Sequence, residues 1–570
     1  MSSGFLCFCP NAVIKAAQYV RPKNTFSCKH YTCKNRNSWF YGNELYIKRR
    51  KVVEQQRTTS HVSKLPFRQT WKAVSAQHTE DGECSVLIIG SGVTGSTAAF
   101  QLAESGIDVL VAEKNEQVGG NIISRKEQGF IWEEGPNTFQ PTPDILVMIE
   151  KLGLVDKLVL ADAKLPRYVF YQDKLHKIPS SPFEACQFSL LSTRGKLRAF
   201  LGAIGFAPMN LKKKEETVRD FVTRHLGEEV YERLVDPFIS GVYAGDPSKL
   251  SMKAAFKRVQ ALEEKGVTQS LIEGAIIRMF ETKNSKGKKE TKGSLKVPRG
   301  SLGSFKDGLQ MYPQSVQSKL SNKVKTGWKL IRLEKSGNGS SHQSCEDYFA
   351  VFQIPNGITK VIRTKALIFT SPAYITASLL RPFIPNASDL LEQIYYPCVV
   401  SVSLAYPSSS FRFPLSGFGH LIPRSTKIRT LGTIWSSSLF PYRVPEGYHL
   451  LSSYIGGAQD TDIASLSEDQ VVKQVDSDIR KILLRQDAAL PKVLGVRHWN
   501  KAIPQYELGH LSRMETIQSQ VSETLPGVFL GGNYVSGISF GDCVSFGMQL
   551  ADQASYYIKE NTELLSSTVV

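Results

Sequence analysis

No stretch of the sequence approaches the eighteen or so consecutive apolar residues that a membrane-spanning helix needs, so no spanning helix is expected. Cysteine is sparse. Of the nine in 570 residues, Cys7, Cys9, Cys28 and Cys33 lie near the N-terminus, and the other five are scattered without Cys-x-x-Cys spacing. Such scatter speaks against a disulfide framework and against a zinc site. In the body of the chain histidine is no better organised: His176, His225, His342, His420, His449, His498 and His510 stand singly, with no spacing that pairs them as ligands. Neither a metal centre nor a Ser/His/Asp triad is expected. Acid is almost missing from residues 1–79, which hold 14 Lys or Arg against only Glu44 and Glu54. Twelve of the net +18 charges therefore sit in that tail, and the body is only mildly basic. Charge gives no reason to expect a nucleic-acid partner. The acid-poor tail, dotted with Ser and Thr, lacks the apolar centre of a secretory signal, and residues 1–80 read as an organelle transit peptide.

What is present is a nucleotide-binding pattern. In "CSVLIIGSGVTGSTAAFQLAESGIDVLVAEK" (84–114), Val86 to Ile89 reads as a buried strand, Gly90 to Gly95 as a turn, and Ser96 to Glu104 as a helix. Gly90 allows a tight turn, Gly92 lets backbone approach a pyrophosphate, and Gly95 lets helix and strand pack closely. The phosphates then meet a helix N-terminus, whose unpaired N–H groups and dipole favour anions. A second strand, Ile107 to Ala112, ends in Glu113, placed to accept ribose hydroxyls and suited to an unphosphorylated ribose.

Downstream, Gly119-Gly120 would bring backbone close to the same nucleotide, and "WEEGPN" (132–137) forms a polar turn before a helix over Pro143–Leu152. "PRYVFYQDKLHKIPSS" reads as a hairpin broken at Gln172-Asp173. Residues 192–265 carry helical patterns, and the Lys-rich run 283–296 reads as a solvated loop. A helix is expected over Ser304 to Leu320, strands near 329–334, 348–354, 361–369, 398–406, 448–454 and 493–499, and a long helix from Glu468 to Arg485. At the C-terminal end, 525–553 gives strand, glycine turn and helix, as if the chain returned to complete the nucleotide domain. The fold class expected is α/β, mixed with α+β features.

The opening GxGxxG, Glu113, Gly119-Gly120, "WEEGPNTF" and the C-terminal "FLGGNYVSG" resemble the two-dinucleotide-binding-fold flavoproteins, which include amine oxidases and carotenoid desaturases. Within that superfamily, "DPFISGVYAGDPSKLSMKAAF" (236–256), "GSFKDGLQMYP" (303–313), "LGTIWSSSLFP" (431–441) and "AIPQYELGH" (502–510) resemble the protoporphyrinogen oxidases, and among them the plastid plant type. The likeness spans about residues 84–557.

The resemblance implies FAD as cofactor and a Rossmann-like FAD-binding domain over 81–160, 300–345 and 515–560. It implies a mixed-sheet substrate domain over 161–185 and 346–514, and a helical domain over 186–299 that rests on a membrane surface. The apolar stretch Phe200 to Met209, beside Lys196 and Arg198, is the candidate for that contact. The implied substrate is protoporphyrinogen IX, oxidised in steps to protoporphyrin IX by hydride transfer to the flavin, with molecular oxygen reoxidising it to give hydrogen peroxide. No protein side chain is then needed for the chemical step. For the substrate, the resemblance points to Arg167 for a propionate, Gly241 for a pyrrole N–H through its carbonyl, and Phe418 and Trp435 as walls, Trp435 standing where relatives often carry Phe or Tyr. For FAD it points to Gly90, Gly92, Gly95, Glu113, Gly119, Gly120, Gly135, Pro136, Val324, Gly532 and Val544. A plastid address is implied, with the mitochondrion as alternative, and the resemblance leaves room for a homodimer. Two other readings stay open: another FAD-dependent oxidase or desaturase of the superfamily, and a non-enzymatic binding protein like the Rab GDP-dissociation inhibitors.

Overall fold

A computed structural model describes residues 81–208, 214–266, 269–285, 295, 297, 298, 300–336 and 347–568. The expected transit segment, most of the Lys-rich run, His342 and Met209 lie outside these residues.

Strand Gly82–Ile89 is apolar on both faces because both faces are covered. Val86 and Ile88 join an apolar layer formed with helices Val93–Glu104, Pro143–Leu152, Met311–Leu320 and Phe540–Thr568. Leu87 and Ile89 point the other way, into a layer with helices Ala373–Leu380, Pro385–Glu392 and His510–Thr524. Such continuous apolar runs are the mark of a parallel sheet between two helical layers. The strand pairs in parallel with Val109–Ala112 on one side, Val86 opposite Val109, and with Thr359–Phe369 on the other, Val86 opposite Ala366. The same seven-stranded sheet takes in Val324–Lys325 and Val528–Leu530, both in parallel, and an antiparallel extension, Lys329–Lys335 and Tyr348–Gln353.

A second seven-stranded sheet runs in the order 492–499, 399–407, 448–456, 430–434, 419–421, 167–171, 174–177. Only 419–421 and 167–171 pair in parallel, with Gly419 opposite Arg167. Its hairpin turns at Gln172 and Asp173, both with positive φ (49° and 57°), the conformation a two-residue turn matched to strand twist requires. One face carries Val400, Val402, Leu404 and Leu451 against helix Glu468–Ile482, whose start is fixed by a capping box between Ser467 and Gln470. The described residues of 186–208 and 214–266 are mainly helical, around a core of Phe221, Ile239, Met252 and Phe256.

Two expectations are corrected. Residues 347–392, part of the segment expected in the substrate sheet, belong to the nucleotide sheet and the helices on its face, because Thr359–Phe369 docks alongside Gly82–Ile89. The helix expected from Ser304 begins only at Met311: Gly303–Phe305 is a strand paired with Leu158–Leu160, and Gly308 turns the chain at φ +102°. A helix from 304 would place Pro313 in its interior, where it would remove a hydrogen bond and clash with a carbonyl; starting at Met311 leaves it in the first turn.

Candidate functional site

The glycine turn connects Ile89 to the helix starting at Val93, whose N-cap is Gly92 with no side chain closing it. The N–H groups of the first turn are therefore available to a ligand. Each glycine has a different reason to be there. A Cβ on Gly95 would lie 2.1 Å from the Gly90 carbonyl oxygen and 2.7 Å from Thr370 Oγ1, so the helix can approach the strand only without a side chain. Gly90 bends the chain at φ +104°. A Cβ on Gly92 would meet nothing within 4 Å: that position opens onto free space.

Around this opening the chain folds a lid. Gly119 and Gly120 both have positive φ (128° and 61°), the Gly119 N–H donates to the Ser91 carbonyl at 3.1 Å, and a Cβ on Gly120 would touch Gly92 Cα at 3.3 Å. Gly532, at φ +101°, lies beside Thr370, whose hydroxyl donates to the carbonyls of Ile89 and Gly90 at 3.0 Å each. Glu113 is buried at the end of the second strand. One carboxylate oxygen accepts the Ser91 N–H (2.9 Å) and hydroxyl (2.8 Å), the other the Asn115 N–H (2.9 Å). Val324 begins the strand paired beside it, the Glu113 N–H donating to the Lys325 carbonyl at 2.8 Å. These features form one cradle with an open floor at Gly92, fitting a dinucleotide's pyrophosphate and ribose.

Val544 belongs to the C-terminal helix, which packs along helix Val93–Glu104. The C-terminal helix starts at Phe540, so Val544 sits a turn inside and is wholly buried among the apolar residues packed on helix Val93–Glu104. Its side chain faces the core. The helix start is instead closed by Ser539 and Asp542: the Asp542 N–H donates to Ser539 Oγ at 3.0 Å, and that hydroxyl donates back to the Asp542 carboxylate at 2.6 Å. This reciprocal cap gives the acid at 542 a structural role.

Gly135, exposed Pro136 and Asn137 follow strand Phe130–Glu133. Gly135 packs against the loop after Gly120: a Cβ there would lie 2.0 Å from the Asn121 carbonyl oxygen. Glu133 is fully buried. It accepts the Ser124 hydroxyl (2.6 Å) and the Leu309 N–H (2.9 Å) and pairs with buried Arg443 at 3.5 Å; burial nevertheless pushes its carboxyl up to about 7.

At the second sheet, Arg167 opens strand Arg167–Tyr171 with its guanidinium 5.4 Å from the Phe418 ring centroid. Among the described residues no carboxylate pairs with it. Gly241 lies in the last turn of helix Asp236–Tyr243, where carbonyls lack intrahelical partners, and packs on Leu421: a Cβ would come 2.5 Å from Leu421 Cδ2. Trp435 lies elsewhere. It is 1% exposed, stacks on Tyr168 at 5.3 Å, donates from Nε1 to His420 Nδ1 at 3.2 Å, and joins the apolar layer under helix Glu468–Ile482. His420 and Leu421 are successive strand residues on opposite faces, so the partner of Trp435 points away from the Gly241 side. Trp435, expected as a wall of the substrate site, is thus buried between Tyr168 and His420. Burial pulls the His420 imidazole down to about 3, so it stays neutral and accepts the indole N–H. Phe418 is half-buried and packs near Phe440 and Leu439.

Several polar partners escaped sequence reading: Ser91, Thr370, Ser401, Arg443, Tyr454 and Trp499. Except for Ser91, each acts on a residue more than two hundred positions away, which no local pattern records.

A family model described as flavin containing amine oxidoreductase matches residues 93–554. Protoporphyrinogen oxidase 1, chloroplastic, of Arabidopsis thaliana is 43% identical over 484 residues, covering 83% of this chain and 88% of that protein. The chloroplastic protoporphyrinogen oxidase of Oryza sativa is 44% identical over 485 residues, covering 83% and 88%. Among solved structures, cyclohexylamine oxidase from Brevibacterium oxydans superposes with TM-score 0.57 at 15% identity, covering 84% of this chain and all of that one; it speaks to fold alone.

Proposed function

The chain belongs to the protoporphyrinogen oxidase family, within the flavin-containing amine oxidoreductases, and on that premise we propose that it oxidises protoporphyrinogen IX to protoporphyrin IX in a plastid, using FAD, with oxygen as final electron acceptor. Bound FAD supplies the capacity to accept hydride from the substrate and to pass electrons to oxygen. Gly90, Gly92, Gly95, Gly119, Gly120 and Gly532 leave room for its pyrophosphate, and Glu113 and Val324 stand at the ribose and adenine end. In this reading Gly135 and Pro136 are assigned to the ring system.

The chain's own work on the substrate is orientation. The observation that carries the reading is Arg167, a guanidinium without a carboxylate partner among the described residues, stacked on Phe418 at the end of a strand. An unpaired cation on an aromatic wall suits an apolar ligand bearing a carboxylate, and suits neither an amine nor a carotenoid. The Gly241 carbonyl accepts a pyrrole N–H, and the apolar walls exclude water. To test this, the purified chain is mixed without oxygen with protoporphyrinogen IX, coproporphyrinogen III or an amine, and air is then admitted. Flavin bleaching followed by porphyrin fluorescence and peroxide with protoporphyrinogen IX is expected. Turnover of coproporphyrinogen III alone, or of the amine alone, overturns the substrate; no bleaching with any of them favours a binding protein.

The helical region presents a membrane-facing patch in this reading. Phe183 is 72% exposed, Leu197 59%, Phe200 58% and Phe206 75%, beside Lys196, so these side chains do not pack in a helical core. No helix among the described residues is long and apolar enough to cross a membrane, and the patch fits a surface contact. Phe200→Ser with Phe206→Ser should lower co-sedimentation with anionic vesicles several-fold at unchanged flavin content; undiminished sedimentation would remove the contact.

A further inference from the structure

The turn Glu133–Asn137 is gripped from the second sheet. Two donors converge on the Glu134 carbonyl: Ser401 Oγ at 2.6 Å and Trp499 Nε1 at 2.9 Å. The Tyr454 hydroxyl donates to the Gly135 carbonyl at 2.9 Å and accepts from Asn137 Nδ2. Arg443, from the segment after strand Thr430–Ile434, reaches Glu133. Ser401, Tyr454 and Trp499 come from three adjacent strands, 399–407, 448–456 and 492–499, of one sheet. On its other side the turn has no slack, because Gly135 is packed against the Asn121 carbonyl in the loop that covers Gly92.

Tyr454 also has a second neighbour. Its ring packs in an apolar cluster with Ala244, Leu431 and Ala502, and Ala244 caps the helix that carries Gly241. One side chain therefore bonds the turn assigned to the flavin ring and packs against the apolar cluster that includes Ala244, the cap of the helix carrying Gly241. Desolvation holds its phenol well above the usual range, so the hydroxyl keeps its proton and remains a donor to Gly135.

We propose that Tyr454 is a positioning residue for the oxidation: with Ser401 and Trp499 it holds the Glu133–Asn137 turn in register with the Gly241 helix cap, setting where the turn's backbone meets the flavin ring. The proposal rests on the reading that this turn lies at that ring. Tyr454 does not touch the reacting atoms; it acts through the backbone of Gly135 and the amide of Asn137.

Tyr454→Phe keeps the ring in its cluster and removes only the hydroxyl. The holoprotein of this variant is expected to keep its melting temperature within a few degrees. Its visible circular dichroism over the flavin bands should change, and flavin reduction by substrate should slow roughly tenfold, with KM altered less than about twofold. Ser401→Ala and Trp499→Phe should shift the same dichroic bands in the same direction, and the double variant Tyr454→Phe/Trp499→Phe should fall short of the sum because both act on one turn. An unchanged dichroic spectrum overturns the proposal. So does a rise in KM alone, which would put Tyr454 against the substrate. Because the dichroism needs no substrate, an enzyme inactive on all porphyrinogens would defeat the proposed function while leaving this test in force.

Discussion

Gly95→Ala is expected to purify as a colourless protein. The added methyl would lie 2.1 Å from the Gly90 carbonyl oxygen, 2.7 Å from Thr370 Oγ1 and 3.2 Å from the Gly90 carbonyl carbon. Two of those atoms are backbone of the nucleotide turn. The third is the hydroxyl that ties the turn to strand Thr359–Phe369 through the Ile89 and Gly90 carbonyls. The clash is relieved only if the helix Val93–Glu104 withdraws, which moves its free N–H groups away from the phosphates. Overpacking of this kind costs about 1–3 kcal/mol or more in stability, and the loss of cradle geometry adds to it in cofactor affinity. Gly92→Ala separates the two effects. Its methyl meets nothing within 4 Å, so that variant should melt as the wild-type apoprotein does yet hold flavin more weakly, because the methyl enters the space the nucleotide needs. The ratio of absorbance near 450 nm to that at 280 nm, about 450 nm being typical of an oxidised flavin, reads cofactor content. A Gly95→Ala protein with full flavin and unchanged melting would show that the turn is not the nucleotide site.

That part of the site is written locally, which is why it can be read from the chain. Gly90, Gly92, Gly95 and Glu113 lie within 24 consecutive residues, and the turn they shape needs only the strand and helix beside it. The hairpin at Gln172-Asp173 is local in the same way. Strand alternation at 348–354 and 361–369, by contrast, names a strand but not its partner. The partner of Thr359–Phe369 begins at Gly82, some 280 positions earlier, and only the tertiary fold assigns the segment to the nucleotide sheet. Trp435 illustrates a finer limit. The motif "LGTIW" marks an aromatic, but which side of the sheet it occupies depends on a register shift between Thr430 and Gly432 and on the indole finding His420. Val544 meets a related limit: one turn along a helix separates its start from a core-facing side chain, and helix starts are not fixed to that precision by pattern.

Arg167→Ala should raise KM for protoporphyrinogen IX by about ten- to a hundredfold, the equivalent of roughly 1.5–3 kcal/mol for a hydrogen bond to a charged group. The guanidinium is half-buried over Phe418, and among the described residues it has no protein carboxylate to lose, so its removal leaves no orphaned partner in the free enzyme. The whole effect is then expected in binding rather than in folding, and melting temperature should change little. Arg167→Lys keeps the charge but not the planar fork that matches a carboxylate and stacks on the ring, and should recover only part of the affinity. The decisive comparison is with a substrate whose propionates are methyl esters. If Arg167 acts by pairing with a propionate, the wild type should discriminate against the ester by about the factor that Arg167→Ala loses on the free acid, and the variant should treat acid and ester alike. An Arg167→Ala enzyme that still prefers the free acid by the wild-type ratio would place the carboxylate against another cation, and Arg167 would be a wall residue packing through its stacked face alone.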